Sequence, residues 1–127
     1  MKVVYLMSAP AHMPYLCVSL YTLRQHWKGL VEVYCYPQSL AIAKDIERDE
    51  RLDVKVYPFK PIYEGRQSQF LNKIHLLRTV EEPTLYLDAD TTIHGSLQPI
   101  QDIIEPTKPD APPVTFLCTQ FNGWDPS

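Results

Sequence analysis

The segment LYLDADTTIHG, Leu85–Gly95, decides how the chain is read. Three strand-forming apolar residues, Leu85, Tyr86 and Leu87, run directly into two aspartates one residue apart, Asp88 and Asp90. Side chains at i and i+2 of a strand share a face. A strand over TLYLDAD therefore projects Asp88 and Asp90 together and turns Ala89 away. Carboxylates held that close repel each other and desolvate badly, so the pair calls for a counter-ion. Two hard oxygen donors aimed at one point suit Mg2+ or Mn2+, with phosphate oxygens and water completing an octahedron. The bland alternative is a solvated loop in which each aspartate caps the turn behind it. The apolar strand in front and the alternating pattern around it weigh against that.

Outward from this segment, strand and helix signals take turns. KVVYLM is a near-continuous apolar run, and PYLCVSLYTLRQHW comes next with Leu16, Leu20, Leu23 and Trp27 at helical spacing. Pro14 suits the first helical turn and Gly29 the helix end. VEVYCY reads as a second strand, LAIAKDIERDE as a helix that Ser39 caps, and DVKVYPF as a third strand. A loop with Pro61 and Gly65 leads to SQFLNKIHLLRTV. There Ser68 is placed to cap, and Leu71, Ile74 and Leu77 recur every third residue. TLYLDAD is the fourth strand, SLQPIQDIIE a short helix, EPTKPDAPP a proline-rich loop and PVTFLCTQF a fifth strand. The pattern predicts a Rossmann-like three-layer α/β/α domain, a mostly parallel sheet with helices on both faces. If Asp88 and Asp90 end such a strand, they stand where open α/β sheets place their ligands.

Composition narrows the classes. The 127 residues suffice for one domain, 1–127, with a real core. A formal net charge of -3, with no Lys/Arg run, argues against a nucleic-acid partner. Cys17, Cys35 and Cys118 show neither metal spacing nor a disulfide framework and read as reduced, mostly buried thiols. The apolar start is too short for a signal-peptide core or a membrane span, which makes it the first strand of a cytoplasmic protein. Tyr5, Tyr34, Tyr36 and Tyr86 lie on expected strands and read as core. His26 and His75 are helix residues without a chemical role.

LNKIHLLRTVEEPTLYLDADTTIHGSLQPI, Leu71–Ile100, resembles the core of GT-A-fold glycosyltransferases, most closely the glycogenin-like, family-eight type. Members of that group carry a Leu-x-Lys-hydrophobic-His helix, a strand ending in Asp-Ala-Asp-Thr and a Gly-x-Leu segment. YTLRQHW extends the likeness loosely to the first helix. The resemblance implies transfer of a sugar from a nucleoside-diphosphate donor, UDP-linked, with retention at the anomeric carbon. Asp90 would ligate Mn2+ or Mg2+, and Asp88 would share the metal and reach the donor ribose. Ala89 would lie against the nucleotide, and Lys73 would act on the diphosphate and sugar as the catalytic cation. The loop MSAPAHMPY, with Ser8, Ala9, His12 and Tyr15, falls where the family cradles the base. An Asn-Asp-x-Tyr stretch is usual there. Ala9, Pro10 and His12 stand in its place, so His12 or Tyr15 is left to stack and the base identity is open.

Length is the larger departure. Only 37 residues come after Asp90, whereas the family continues into an acceptor half with a His ligand for the metal. His94 stands too close behind the strand to be that ligand and reads as structural or solvated. The chain is thus expected to be a nucleotide-sugar-binding half, with its acceptor unknown and self-association or a separate second half completing it. Asn122 and Trp124 are candidates to line a sugar pocket or are simply terminal residues. Two competitors stand beside this reading. One is a binding module without turnover. The other is a haloacid-dehalogenase-like phosphatase, whose Asp-x-Asp-x-Thr loop DADTT also fits, with Asp88 as nucleophile. That loop normally comes after a first strand, not a fourth, and Lys108 is the only lysine downstream.

Overall fold

The computed structural model describes residues 1–65, 68–80 and 82–105; the expected fifth strand, Cys118, Lys108, Asn122 and Trp124 lie outside the described residues. Among the described residues four strands form one sheet: β1 (Lys2–Met7), β2 (Val31–Cys35), β3 (Val54–Pro58) and β4 (Thr84–Leu87). Their order is β3-β2-β1-β4 and every pairing is parallel, with Val3 opposite Val31 on one side and Leu85 on the other. Helices α1 (Met13–His26), α2 (Leu40–Glu47), α3 (Ser68–Arg78) and α4 (Gln98–Ile104) connect the strands or come after them.

Apolar residues on successive strand positions feed two separate cores. Val3, Tyr5, Met7, Val31, Val33, Val54 and Val56 meet Leu16, Leu20 and Leu23 of α1 and Ala43 and Ile46 of α2. On the opposite face Val4 and Leu6 meet Leu76 of α3, with Tyr36 and Phe59. Both faces of β1 are therefore dry, which is why its sequence runs apolar without alternation. This is the three-layer α/β/α arrangement expected from the sequence, and every pairing among the described strands is parallel.

Three local expectations are corrected. α1 ends at His26 with an extended Trp27, whose amide still bonds Leu23 O at 2.9 Å, so Gly29 does not end the helix. Gly29 serves close approach instead: a Cβ there would stand 2.1 Å from the Trp27 ring. Ser39 precedes α2 but does not cap it. It has helical φ and ψ at the end of a 3-10 turn over Pro37–Ser39, and its Oγ is buried without a hydrogen-bond partner among the described residues. On α3 the buried residues are Asn72 and Leu76, four apart, while Leu71 is exposed. A strict three-residue repeat drifts around a helix of 3.6 residues per turn, and the inward position is polar.

The end of the sheet away from the site is clamped by Arg24. Its guanidinium donates to Leu52 O at 2.6 Å, Gly29 O at 2.7 Å and Asp53 O at 2.8 Å, joining the two loops that enter β2 and β3. Asp53 itself holds a left-handed backbone, φ 48°. Among the described residues no helix is long and apolar enough to cross a membrane.

Candidate functional site

Strand order reverses between β1 and β4: the chain builds outward from β1 to β3, then crosses back to lay β4 on the far side of β1. The loops leaving neighbouring strands there diverge and leave a crevice at their carboxyl ends. A cavity of about 450 Å³ occupies it, within the range of small-molecule sites. Its lining combines Leu6, Ser8, His12 and Tyr15 from β1 and the segment leading into α1, Gln69 and Lys73 from α3, and Asp88, Ala89 and Asp90 behind β4.

The β1 wall is a loop and 3-10 turn, Pro10–His12, running into α1. Ser8 Oγ lies 3.5 Å from His12 Nδ1, and Ser8 O accepts from Gln38 Nε2 at 3.0 Å. Ala9 contributes its carbonyl, which accepts from His12 N at 3.0 Å and closes the turn, but it does not line the cavity. Tyr15 is 60% exposed, so its ring is available to a ligand at the mouth.

The β4 wall differs in detail from the sequence expectation. The strand stops at Leu87, and Asp88–Thr91 form a turn in which Thr91 N bonds Asp88 O at 3.1 Å and Thr91 Oγ1 donates to the same oxygen at 2.7 Å. A turn, rather than strand pleat, thus brings both aspartates to the cavity, and Ala89 lines it with them instead of turning away.

Beneath the turn runs a chain of hydroxyls from α1. Ser19, fully buried, joins Tyr5 Oη at 2.7 Å and Thr91 Oγ1 at 3.3 Å. Thr22 Oγ1 donates to Ser19 O at 2.9 Å and accepts from Ile93 N at 3.0 Å. The segment carrying the aspartates is therefore fixed to α1 and β1 on its inner side.

On the third wall, Lys73 Nζ donates to Asp88 Oδ1 at 2.6 Å and lies 5.6 Å from the centre of the Tyr86 ring. Tyr86 Oη is buried and meets no partner at hydrogen-bonding geometry among the described residues. Burial, reinforced by the Asp88 and Asp90 charges, holds that phenol far above its ordinary pKa, hence neutral. α3 is set in place by Asn72, whose Oδ1 accepts from Ile62 N and Tyr63 N while Nδ2 donates to Tyr36 Oη and Tyr63 O. This amide satisfies the loop before α3 and the adjacent aromatic core at once.

Of the residues singled out in the sequence, Ser8, His12, Tyr15, Lys73, Asp88, Ala89 and Asp90 meet in one cavity. His94 does not line it: it is exposed and its Nε2 lies 2.8 Å from Thr92 Oγ1. Leu6 and Gln69 are additions for which the sequence carries no signal. Among the described residues no group of three or more His, Cys, Asp or Glu converges as a complete metal site. Among the described residues, Asp88 and Asp90 supply two carboxylates to the cavity. Cys17 and Cys35 are free, and burial pushes the Cys35 thiol up to about 12, far from a reactive thiolate.

No protein-family model and no curated protein matches the sequence. Solved structures do match. The galactosyltransferase LgtC, in complex with donor and acceptor sugar analogs, aligns over 80% of this chain and 42% of its own, with a TM-score of 0.61 and 17% identity. Mouse xyloside xylosyltransferase 1, in its apo form, aligns over 87% of this chain and 51% of its own, with a TM-score of 0.58 and 14% identity. The chain spans about half the length of each of these proteins. What the likeness shows is the fold: a Rossmann-like α/β sheet shared with GT-A glycosyltransferases.

Proposed function

We propose that this chain binds a nucleoside-diphosphate sugar, UDP-linked, as the donor part of a metal-dependent glycosyltransferase of the glycogenin-like type. The observation that carries the reading is the convergence, at the strand-order reversal, of a β1 loop, a lysine from α3 and the Asp88–Asp90 turn around one cavity. The glycosyltransferase fold of the neighbours supports it.

In this reading Ser8, His12 and Tyr15 form the wall for base and ribose, and Asp88 also reaches the ribose. Ala89, small and between the two aspartates, leaves room for the nucleotide to lie close. Asp88 and Asp90 fit a hard divalent cation by donor type, since both offer only carboxylate oxygen. That ion, Mn2+ or Mg2+, supplies Lewis-acid stabilisation of the diphosphate as the glycosidic bond breaks. Lys73 brings a second positive charge to the leaving diphosphate from the α3 side. Tyr86, neutral and partly buried, presents its ring behind Lys73 and keeps the ammonium directed toward the cavity.

Calorimetry tests this directly. UDP is expected to bind with micromolar to millimolar affinity when Mn2+ or Mg2+ is present, and to lose most of that binding in EDTA or in Asp90→Ala. Equal binding under all three conditions would overturn the proposal. Transfer and hydrolysis assays with a panel of UDP- and GDP-sugars then separate turnover from binding alone.

A further inference from the structure

Asp88 and Asp90 are not equivalent in this structure. Asp88 is paired with Lys73, while Asp90 has no ion-pair or hydrogen-bond partner among the described residues. Among the described residues lining the cavity, Lys73 is the one formal cation. From this we infer that Lys73 acts as an internal competitor for the cation, so that the site takes up a divalent ion and a diphosphate as one unit and resists either alone. The inference rests on the donor-site reading above and specifies the form in which the ligand is accepted.

Charge balance explains the preference. A bare divalent ion finds Asp90 open but must displace the Lys73 ammonium from Asp88, and the displaced ammonium then faces the ion as a like charge. A bare diphosphate finds the ammonium already neutralised and Asp90 repelling it. When both arrive together, Lys73 turns from Asp88 to a phosphate oxygen and Asp88 is freed for the cation, so each of the three charged side chains faces an opposite charge. Because the pair is partly exposed, 30% for the lysine and 49% for the aspartate, the suppression is modest. It corresponds to at most about fivefold in affinity. No covalent step is involved.

The experiment measures Mn2+ binding by the loss of the free-ion paramagnetic resonance signal, on the full 127-residue chain, with and without UDP. In the wild type each ligand should tighten the other by the same factor, about tenfold or more. Lys73→Met should bind Mn2+ alone about threefold to fivefold more tightly while binding UDP in the presence of Mn2+ about tenfold more weakly. These are opposite signs that loss of structure cannot produce. Lys73→Gln should repeat the pattern, Lys73→Arg should restore wild-type behaviour, and the gain for Mn2+ alone should vanish in an Asp88→Asn background. If neither Lys73→Met nor Lys73→Gln gains affinity for Mn2+ alone, including the case where no chain binds the free ion below millimolar concentration, the inference is overturned. In that event Mn2+-dependent UDP binding by the wild type would leave the donor-site reading standing. UDP binding indifferent to Mn2+ in the wild type would instead remove that reading, and this inference with it.

Discussion

Ser19 belongs to no motif, yet its buried hydroxyl is the point where β1, α1 and the aspartate turn meet. Replacing it with alanine leaves Tyr5 Oη without its partner in a dry core, where burial has pushed the phenol up to about 12. Ser19→Ala should cost about 1–3 kcal/mol of stability, read from the urea midpoint, and should weaken Mn2+-dependent UDP binding several-fold by loosening Thr91. A variant with wild-type stability and binding would show that the hydroxyl chain is incidental. The aspartates are legible in the sequence because charge beside an apolar strand is a loud local signal. Ser19 and Gln69 are not, because a hydroxyl or amide on a helix carries no periodicity and its role depends on residues far away in sequence. The aspartates' common direction is legible only in outcome: a turn, not the strand pleat, presents them.

Among the elements, α1 is easily read, since Leu16, Leu20 and Leu23 repeat at the spacing that a buried helix face requires and all three are fully buried. α3 is harder. Its apolar residues suggest one face, but the helix is anchored by Asn72, a polar side chain that is tolerated inside only because four hydrogen bonds satisfy it. No count of apolar residues could anticipate that. The end of α1 likewise depends on a contact rather than a propensity. Because a Cβ on Gly29 would overlap the Trp27 ring, and that ring packs against the main core, Gly29→Ala must displace it. The expected cost is about 1–3 kcal/mol, seen as a lower thermal midpoint with UDP affinity per folded molecule unchanged. An unaltered midpoint would mean that the indole moves freely.

For the molecule as a whole, acid stability offers a check on how α2 is tied to the sheet. Val56 N donates to Glu47 Oε1, with Lys44 beside it, and these hold the Glu47 carboxyl below its usual range. A lowered folded-state pKa adds stability above the unfolded value, near 4.5, and that stability is lost as pH falls through the folded value. Glu47→Gln should therefore lower the thermal midpoint by a few degrees at neutral pH, and its gap from the wild type should close as pH drops below about 4.5. A gap that is constant with pH would assign the effect to packing. At this scale the fold is the most readable feature of the chain, because alternating strand and helix signals leave few parallel topologies to choose from. Which strands neighbour which cannot be read, since register arises only when all four come together.

The β3-β2-β1-β4 order also sets when the pocket can exist during folding. Its two facing walls, Ser8 to Tyr15 and Asp88 to Asp90, are separated by roughly the whole intervening chain, and they become neighbours only when Thr84–Leu87 docks on β1. Pairings between such distant segments close large loops and form slowly. Ligand competence should consequently be acquired late in refolding, after β1, β2 and β3 have assembled, so that nucleotide uptake would serve as a clock for the final docking event.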